Sequence, residues 1–259
     1  MEMKFVLYSV LDRIAFITLN RPEKRNAMSN QLVSELKHAF QTAEEDDAVK
    51  VVVLKANGEA FSAGADLEYL QQLQQFSFEQ NFADSNHLKE LFHQIYSFKK
   101  VVIAQVQGHA IAGGCGLATV CDFTFAAPDA KFGYTEVKIG FIPAIVMVFL
   151  IRKIGESRSR QLLLSGALIT ADQAKRMGVI NEIVSKEELE EAVIHFAAEL
   201  IVSNSANSMS LTKQMMAKVQ TLPLDEALNF AAEMNAKARE SQDCKRGVSA
   251  FVNKEKISW

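Results

Sequence analysis

Two short runs, Val49-Lys50-Val51-Val52-Val53-Leu54-Lys55-Ala56 and Val101-Val102-Ile103-Ala104-Gln105-Val106-Gln107-Gly108, constrain this chain more than any other feature. Their apolar residues are mostly β-branched and follow one another without polar alternation. A strand patterned this way is covered on both faces, as in a parallel sheet flanked by helices. The neighbouring sequence agrees. Phe5 to Val10 and Arg13 to Leu19 read as strands with a turn at Asp12, and "DFTFAAP" (122–128) is strand-like. Ser29 is an N-cap for a helix whose Leu32, Val33, Leu36, Ala39, Phe40 and Ala43 recur at helical spacing. Residues 67–98 read as helices of weak periodicity. Beyond Pro143, "SRSRQLLLSG", "TADQAKRMG", "KEELEEAVIHFAAELIV", "SLTKQMMAKVQ" and "LDEALNFAAEMNAKARESQD" are helical, with Thr170 or Asp172 starting one helix and Gly178 ending it. The expected class is α/β, with strands interleaved early and helices dominant late. No internal repeat or linker divides the chain.

Composition narrows the function classes. The chain has 259 residues, and a hydrophobic fraction of 49% supports a substantial core, so one large domain with an elaborated end is expected. A net charge of −3 supplies no basic field for nucleic acid. The three cysteines, Cys115, Cys121 and Cys244, form no C-x-x-C pair, which fits a reduced, intracellular setting. "MEMKFVLYSV" reads as a strand and not as a targeting segment. The longest apolar run, Ala144 to Ile151, is eight residues, against about 20 for a membrane span. A soluble, cytoplasmic protein without membrane or nucleic-acid partners is expected.

Chemistry concentrates in two loops that follow the buried strands: Phe61-Ser62-Ala63-Gly64-Ala65-Asp66, and Gly108 to Gly116 within "VQGHAIAGGCGLATVCD". Small side chains let a ligand approach the backbone, and helix N-termini present unsatisfied N–H groups with a positive dipole end. A phosphate loop of the G-x-x-x-x-G-K-[ST] type is excluded, because no Lys-Ser or Lys-Thr follows the glycines. The G-x-G-x-x-G dinucleotide fingerprint and the G-x-S-x-G nucleophile elbow are also absent. Two N–H groups aimed at one carbonyl oxygen, an oxyanion hole, is the reading that remains.

Four stretches, "ITLNRPEKRNAM", "AFSAGADL", "VQGHAIAGGCGLATVCDF" and "FGYTEVKIGFIP", resemble in order and spacing the crotonase, or enoyl-CoA hydratase/isomerase, superfamily. "RGVSAFVNKEK" resembles its closing segment. The resemblance implies a crotonase-like spiral of ββα units over residues 1–200 and a C-terminal helical trimerisation region over 201–259. The partners it implies are an acyl-CoA thioester and further copies of the chain, in a homotrimer or a dimer of trimers. Coenzyme A is then part of the substrate, and no separate cofactor or metal is implied. The thioester oxygen would sit between the N–H groups of Ala65 and Gly113. Ala27, Ala63, Ala65, Asp66 and Leu67 would line the coenzyme, Lys24 and Arg25 would lie near its phosphates, and Phe251 and Lys254 would reach the coenzyme of a neighbouring subunit.

The sequence departs from the family's two-glutamate hydratases at two places. One glutamate is present as Glu136, but the position after "GGC" is Gly116. Where hydratases continue with a "GAGGTQRL"-like run, this chain reads "AIVMVFLIRKIG". One carboxylate can take a proton at Cα and return it at Cγ, so isomerisation of an enoyl-CoA double bond is expected. Hydration with an unusual water site, acyl-CoA decarboxylation and non-catalytic CoA-ester binding remain alternatives. A water holder could come from Tyr134 or from Glu68, Glu79, Asp84, His87, Glu90 and His93. Tyr134, His109, Cys115 and Asp122 are otherwise expected to be structural, with Asp122 pairing locally and Asp66 organising its loop. Ala144 to Ile151 reads as core or as the wall of an apolar acyl pocket.

Overall fold

A computed structural model of the chain describes residues 3–259; the reading of Met1 and Glu2 lies outside them. The unbroken apolar runs form β3 (Val51–Ala56) and β4 (Val101–Val106) at the centre of a six-stranded sheet. With β1 (Val6–Leu11), β2 (Ile14–Leu19), β6 (Phe123–Ala126) and β9 (Glu182–Ile183), the order is β1-β2-β3-β4-β6-β9. All neighbours pair parallel except the β1–β2 hairpin. Asp12 and Arg13 turn that hairpin at φ 49° and 67°, the positive values that match a tight turn to strand twist.

Both faces of the sheet are covered, which explains the missing alternation. On one face Ile14, Phe16, Val51, Val53, Val101 and Ile103 pack with Leu189, Val193, Ala197 and Ile201 of α8 (Leu189–Ser203). On the other, Ala15, Ile17, Val52, Leu54, Val102 and Ala104 pack against α1 (Asn30–Glu45), α3 (Phe78–Tyr96) and α4 (Gly113–Val120). All six apolar residues predicted for α1 are buried, and Ser29 caps its start by accepting from the Leu32 N–H. Each fully buried Val or Leu of these strands is worth about 1.5–3 kcal/mol of transfer free energy.

Lysines close three of the covering helices. Lys50 Nζ donates to the carbonyls of Ile201 and Asn204, both at 2.6 Å, at the end of α8. Lys100 Nζ donates to Ala43 (2.7 Å) and Asp46 (2.6 Å) at the end of α1. Lys153 Nζ donates to Thr119 (2.9 Å) and Cys121 (3.0 Å) at the end of α4. A cation at a helix C-terminus satisfies orphan carbonyls and opposes the negative dipole end. The lysine that interrupts the apolar run at 50 therefore has a partner inside the fold.

A second, three-stranded sheet sets up the site. β5 (Ala110–Ile111) pairs parallel with β7 (Lys131–Gly133), which pairs antiparallel with β8 (Ile169–Thr170). The register Ile111↔Gly133 sends two segments out of this sheet side by side. One reaches Gly113 two residues later, and the other reaches Glu136 three residues later.

The rest of the chain is helical. α2 (Leu67–Leu73) and α3 fill the weakly periodic segment, followed after Pro143 by α5 (Ala144–Ile154), α6 (Glu156–Ser165) and α7 (Ala171–Met177). A Thr170–Gln173 capping box opens α7 and Gly178 closes it. α9 (Ala206–Val219), α10 (Leu224–Glu240) and α11 (Gln242–Asn253) end the chain. The division placed at residue 200 falls inside α8. Asp122, expected to pair locally, instead joins Lys213 of α9 at 2.7 Å and accepts from the Val102 N–H. It ties the C-terminal helices to the central sheet. No described helix is long and apolar enough to cross a membrane.

Candidate active site

The two small-residue loops touch. Ser62 and Ala110 form a parallel bridge, and the Ile111 N–H donates to the Ser62 carbonyl at 2.9 Å. Gly64 has φ +90°, and a Cβ built there would lie 2.8 Å from Ala112 Cβ and 3.5 Å from the Gly113 nitrogen. Only glycine permits both that backbone and that approach. Met28 holds the other side: its N–H donates to Gly64 at 2.6 Å, and its carbonyl accepts from Asp66 at 2.9 Å. Ala65 lies between those two bonds, and its N–H has no partner among the described residues. The Gly113 N–H, in the first turn of α4, has none either. Ala112, which caps α4, sits at φ 50° and ψ −127°, a strained conformation for alanine that costs about 1–3 kcal/mol.

Asp66 organises its loop, as expected. Its carboxylate accepts from Glu68 and Tyr69 to start α2 and pairs with Arg21 at 2.5 Å. Burial pushes its pKa up, but the Arg21 guanidinium and the two N–H donors outweigh that and leave it below the ordinary value. Arg21 lies inside the stretch "ITLNRPEKRNAM", but nothing local to it pointed to a partner 45 residues away, so its role was not read from sequence. Ala27 is buried, whereas Ala63, Ala65 and Leu67 are exposed along the loop. Lys24 and Arg25 are exposed on the adjacent turn, with Lys24 paired to Glu68 at 2.5 Å. Phe251 and Lys254 lie at the end of α11, with Phe251 86% exposed.

Glu136 opens a short 3-10 turn (Glu136–Ile139) after β7. It is only 9% exposed, and its Oε2 has no hydrogen-bond partner among the described residues. Burial raises its pKa above the ordinary carboxylate value. Each acidic candidate of segment 67–98 is engaged elsewhere. Glu68 pairs with Lys24, Glu79 accepts from Ser77, Asp84 from Tyr69, and Glu90 from Lys37. His87 contacts Ser34 and Lys37. His109 is exposed, and its carbonyl accepts from Phe61 and Ser62. Burial raises the Cys115 and Cys121 thiols to about 12, which leaves them unreactive. Tyr134 is fully buried, with Oη 2.9 Å from Thr119 Oγ1.

Gly116 and the unusual run after Pro143 prove to be one feature. A Cβ built on Gly116 would lie 2.1 Å from Val146 Cγ1, 2.7 Å from Val146 Cβ and 3.1 Å from Phe92 Cε1. Val146 is 4% exposed and points from α5 into the space a side chain at 116 would need. α5 is half core and half wall. Val146, Leu150 and Ile154 are buried, while Ile145, Val148 and Phe149 line a cavity of about 1120 Å³ with His93 and Tyr96 of α3. Segments 67–98 and 144–151 thus meet around one cavity, and Glu136 is not part of its lining.

Comparison with known proteins identifies the family. The family described as Enoyl-CoA hydratase/isomerase matches residues 11–259. A Thermus thermophilus protein described as a candidate enoyl-CoA hydratase is 41% identical over 242 residues, which cover 93% of this chain and 95% of that one. The mitochondrial enoyl-CoA hydratase of Pongo abelii is 36% identical, with 95% and 83% covered. The crystal structure of an enoyl-CoA hydratase from Shewanella pealeana superposes with a TM-score of 0.93 at 30% identity, over 100% of this chain and 97% of that one. With matches spanning nearly its whole length, the chain belongs to the enoyl-CoA hydratase/isomerase family of acyl-CoA enzymes.

Proposed function

We propose that the protein isomerises the double bond of an enoyl-CoA thioester, with Glu136 as the single acid–base group. The observation that carries this reading is the isolation of that carboxylate. It is buried with a free oxygen and a raised pKa, the space above Gly116 is filled by Val146, and the acidic side chains of 67–98 are engaged elsewhere. Glu136 takes the proton from Cα, and the C–H electron pair enters the thioester as an enolate. The free N–H groups of Ala65 and Gly113 hold the enolate oxygen. The pair then shifts along the conjugated chain, and Glu136 returns the proton at Cγ. No atom is gained or lost. Preorganised donors at a developing oxyanion supply about 3–4 kcal/mol each, and a well-placed proton shuttle about 10²–10⁴-fold.

Coenzyme A would lie along Ala27, Ala63, Ala65, Asp66 and Leu67. Because the Asp66 carboxylate is committed to Arg21, that contact would be through backbone. Lys24 and Arg25 would lie near its phosphates, and Phe251 and Lys254 would reach the coenzyme of a neighbouring subunit; all four are exposed. Exposed apolar side chains on the last three helices, among them Leu224, Leu228 and Val248, support self-association; a homotrimer or dimer of trimers, in the cytoplasm, is the assembly proposed. Hydration is the second reading, favoured by the names of the relatives.

Spectrophotometric assays on 3-enoyl-CoA and 2-enoyl-CoA separate the two. Isomerisation predicts conversion of 3-enoyl-CoA to the 2-enoyl ester, abolished in Glu136→Gln. Rapid formation of 3-hydroxyacyl-CoA from 2-enoyl-CoA with no double-bond shift overturns it. Full activity of Glu136→Gln removes the assignment of the base.

A further inference from the structure

The segment bearing Glu136 is clamped to α4 at two points. At one, the Ala112 N–H donates to the Gly133 carbonyl at 2.7 Å, beside the first turn that presents Gly113. At the other, the Tyr134 hydroxyl reaches Thr119 Oγ1 at 2.9 Å, and Thr119 Oγ1 donates to the Gly116 carbonyl at 3.1 Å. Either hydroxyl can donate across the Tyr134–Thr119 contact; when Thr119 gives its one proton to the Gly116 carbonyl, Tyr134 donates and Thr119 accepts. Tyr134 is fully buried and Thr119 is 3% exposed. A hydroxyl pair in such a position costs desolvation unless both partners are satisfied. Lys153 holds the Thr119 carbonyl, three residues further along the same helix, so the C-terminal half of α4 is also fixed at its end.

We propose that Tyr134 and Thr119 are positioning residues, whose hydrogen-bond chain to Gly116 holds the Glu136 carboxylate at a set distance from the Gly113 N–H. Glu136 is two residues beyond Tyr134 and makes no side-chain hydrogen bond through Oε2, so its placement depends on backbone anchored next to it. The second anchor beyond it is the Phe141 N–H, which donates to the Glu136 carbonyl at 3.0 Å. The proton donor–acceptor geometry of the reaction spans two separate chain segments. Tyr134–Thr119 is a buried side-chain link between those segments, two residues from the base. This inference rests on Glu136 being the base.

The test uses Tyr134→Phe, Thr119→Val and Thr119→Ser in the full-length protein, assayed on 3-enoyl-CoA. Removing the link lets the base drift, and kcat is expected to fall about ten-fold in Tyr134→Phe and in Thr119→Val while KM stays within about two-fold. The double variant should be no slower than either single one, since both break the same link. Thr119→Ser, which keeps the hydroxyl, should retain the parent kcat. An unchanged kcat with a lowered Tm, losses that multiply in the double variant, or equal changes in kcat and KM each overturn the proposal. Should Tyr134→Phe fail to fold, the Thr119 pair of variants decides alone. Failure of the underlying reading shows separately, as an active Glu136→Gln.

Discussion

Adding one methyl group at position 116 tests whether this site has been rebuilt or has merely lost a side chain. Gly116 lies inside α4, and Gly→Ala in a helix interior ordinarily gains about 1 kcal/mol. Here the new Cβ would stand 2.1 Å from Val146 Cγ1 and 2.7 Å from Val146 Cβ, against an optimum carbon–carbon separation of about 3.5–4.0 Å. The second obstacle is the branched Cβ itself, held by the backbone of α5, so no rotamer change clears it. Overpacking of a dense core costs about 1–3 kcal/mol, and a contact this close belongs at the top of that range. Gly116→Ala should thus lose about 1–2 kcal/mol net. Val146→Ala, which removes two buried methyl groups, should lose about 2 kcal/mol. The double variant should lose less than the sum, by at least about 1 kcal/mol, because the two residues compete for one space. Equilibrium urea denaturation of the four proteins at one protein concentration measures this cycle. A Gly116→Ala variant as stable as the parent, or strictly additive losses, refutes the claim that Val146 occupies the place of a second carboxylate.

Three further outcomes follow from the charges. Burial raises the Glu136 pKa, so the acid limb of kcat/KM should have its midpoint above the 4.5 of an ordinary glutamate. A raised carboxylate pKa means that the folded state binds the proton more tightly, so this group's contribution to stability is present below pH 4.5 and lost as pH rises through the folded pKa. Glu136→Gln should therefore show a higher Tm than the parent at pH 8, with the gain disappearing below pH 4.5; equal Tm values at pH 8 contradict it. Asp66→Ala leaves the largely buried Arg21 with only long contacts, to Glu23 at 3.9 Å and the Ala27 carbonyl at 3.4 Å, and α2 without its cap, and should cost about 3 kcal/mol in the same denaturation assay. A loss under about 1 kcal/mol would mean the pair is not structurally important.

The alternation-free runs at 49–56 and 101–108 determined a sheet buried on both faces, and periodicity determined α1 down to its cap and its six buried apolar residues. Both are local properties: side-chain spacing decides which faces are apolar, and an N-cap is chosen within three residues. The small-residue loops were also legible, because a backbone that must be approached closely excludes large side chains. What the sequence could not determine was any relation between distant segments. It offered Asp122 as a local pair, whereas the partner is Lys213, 91 residues away. It could not show that Arg21 neutralises Asp66, or that Lys50, just before an apolar strand, ends α8. Above all, it presented Gly116 and "AIVMVFLIRKIG" as two separate departures from the hydratase pattern. Only the packing of α5 against α4 made them one, because two atoms cannot share the same volume: the side chain absent at 116 is matched by the one present at Val146.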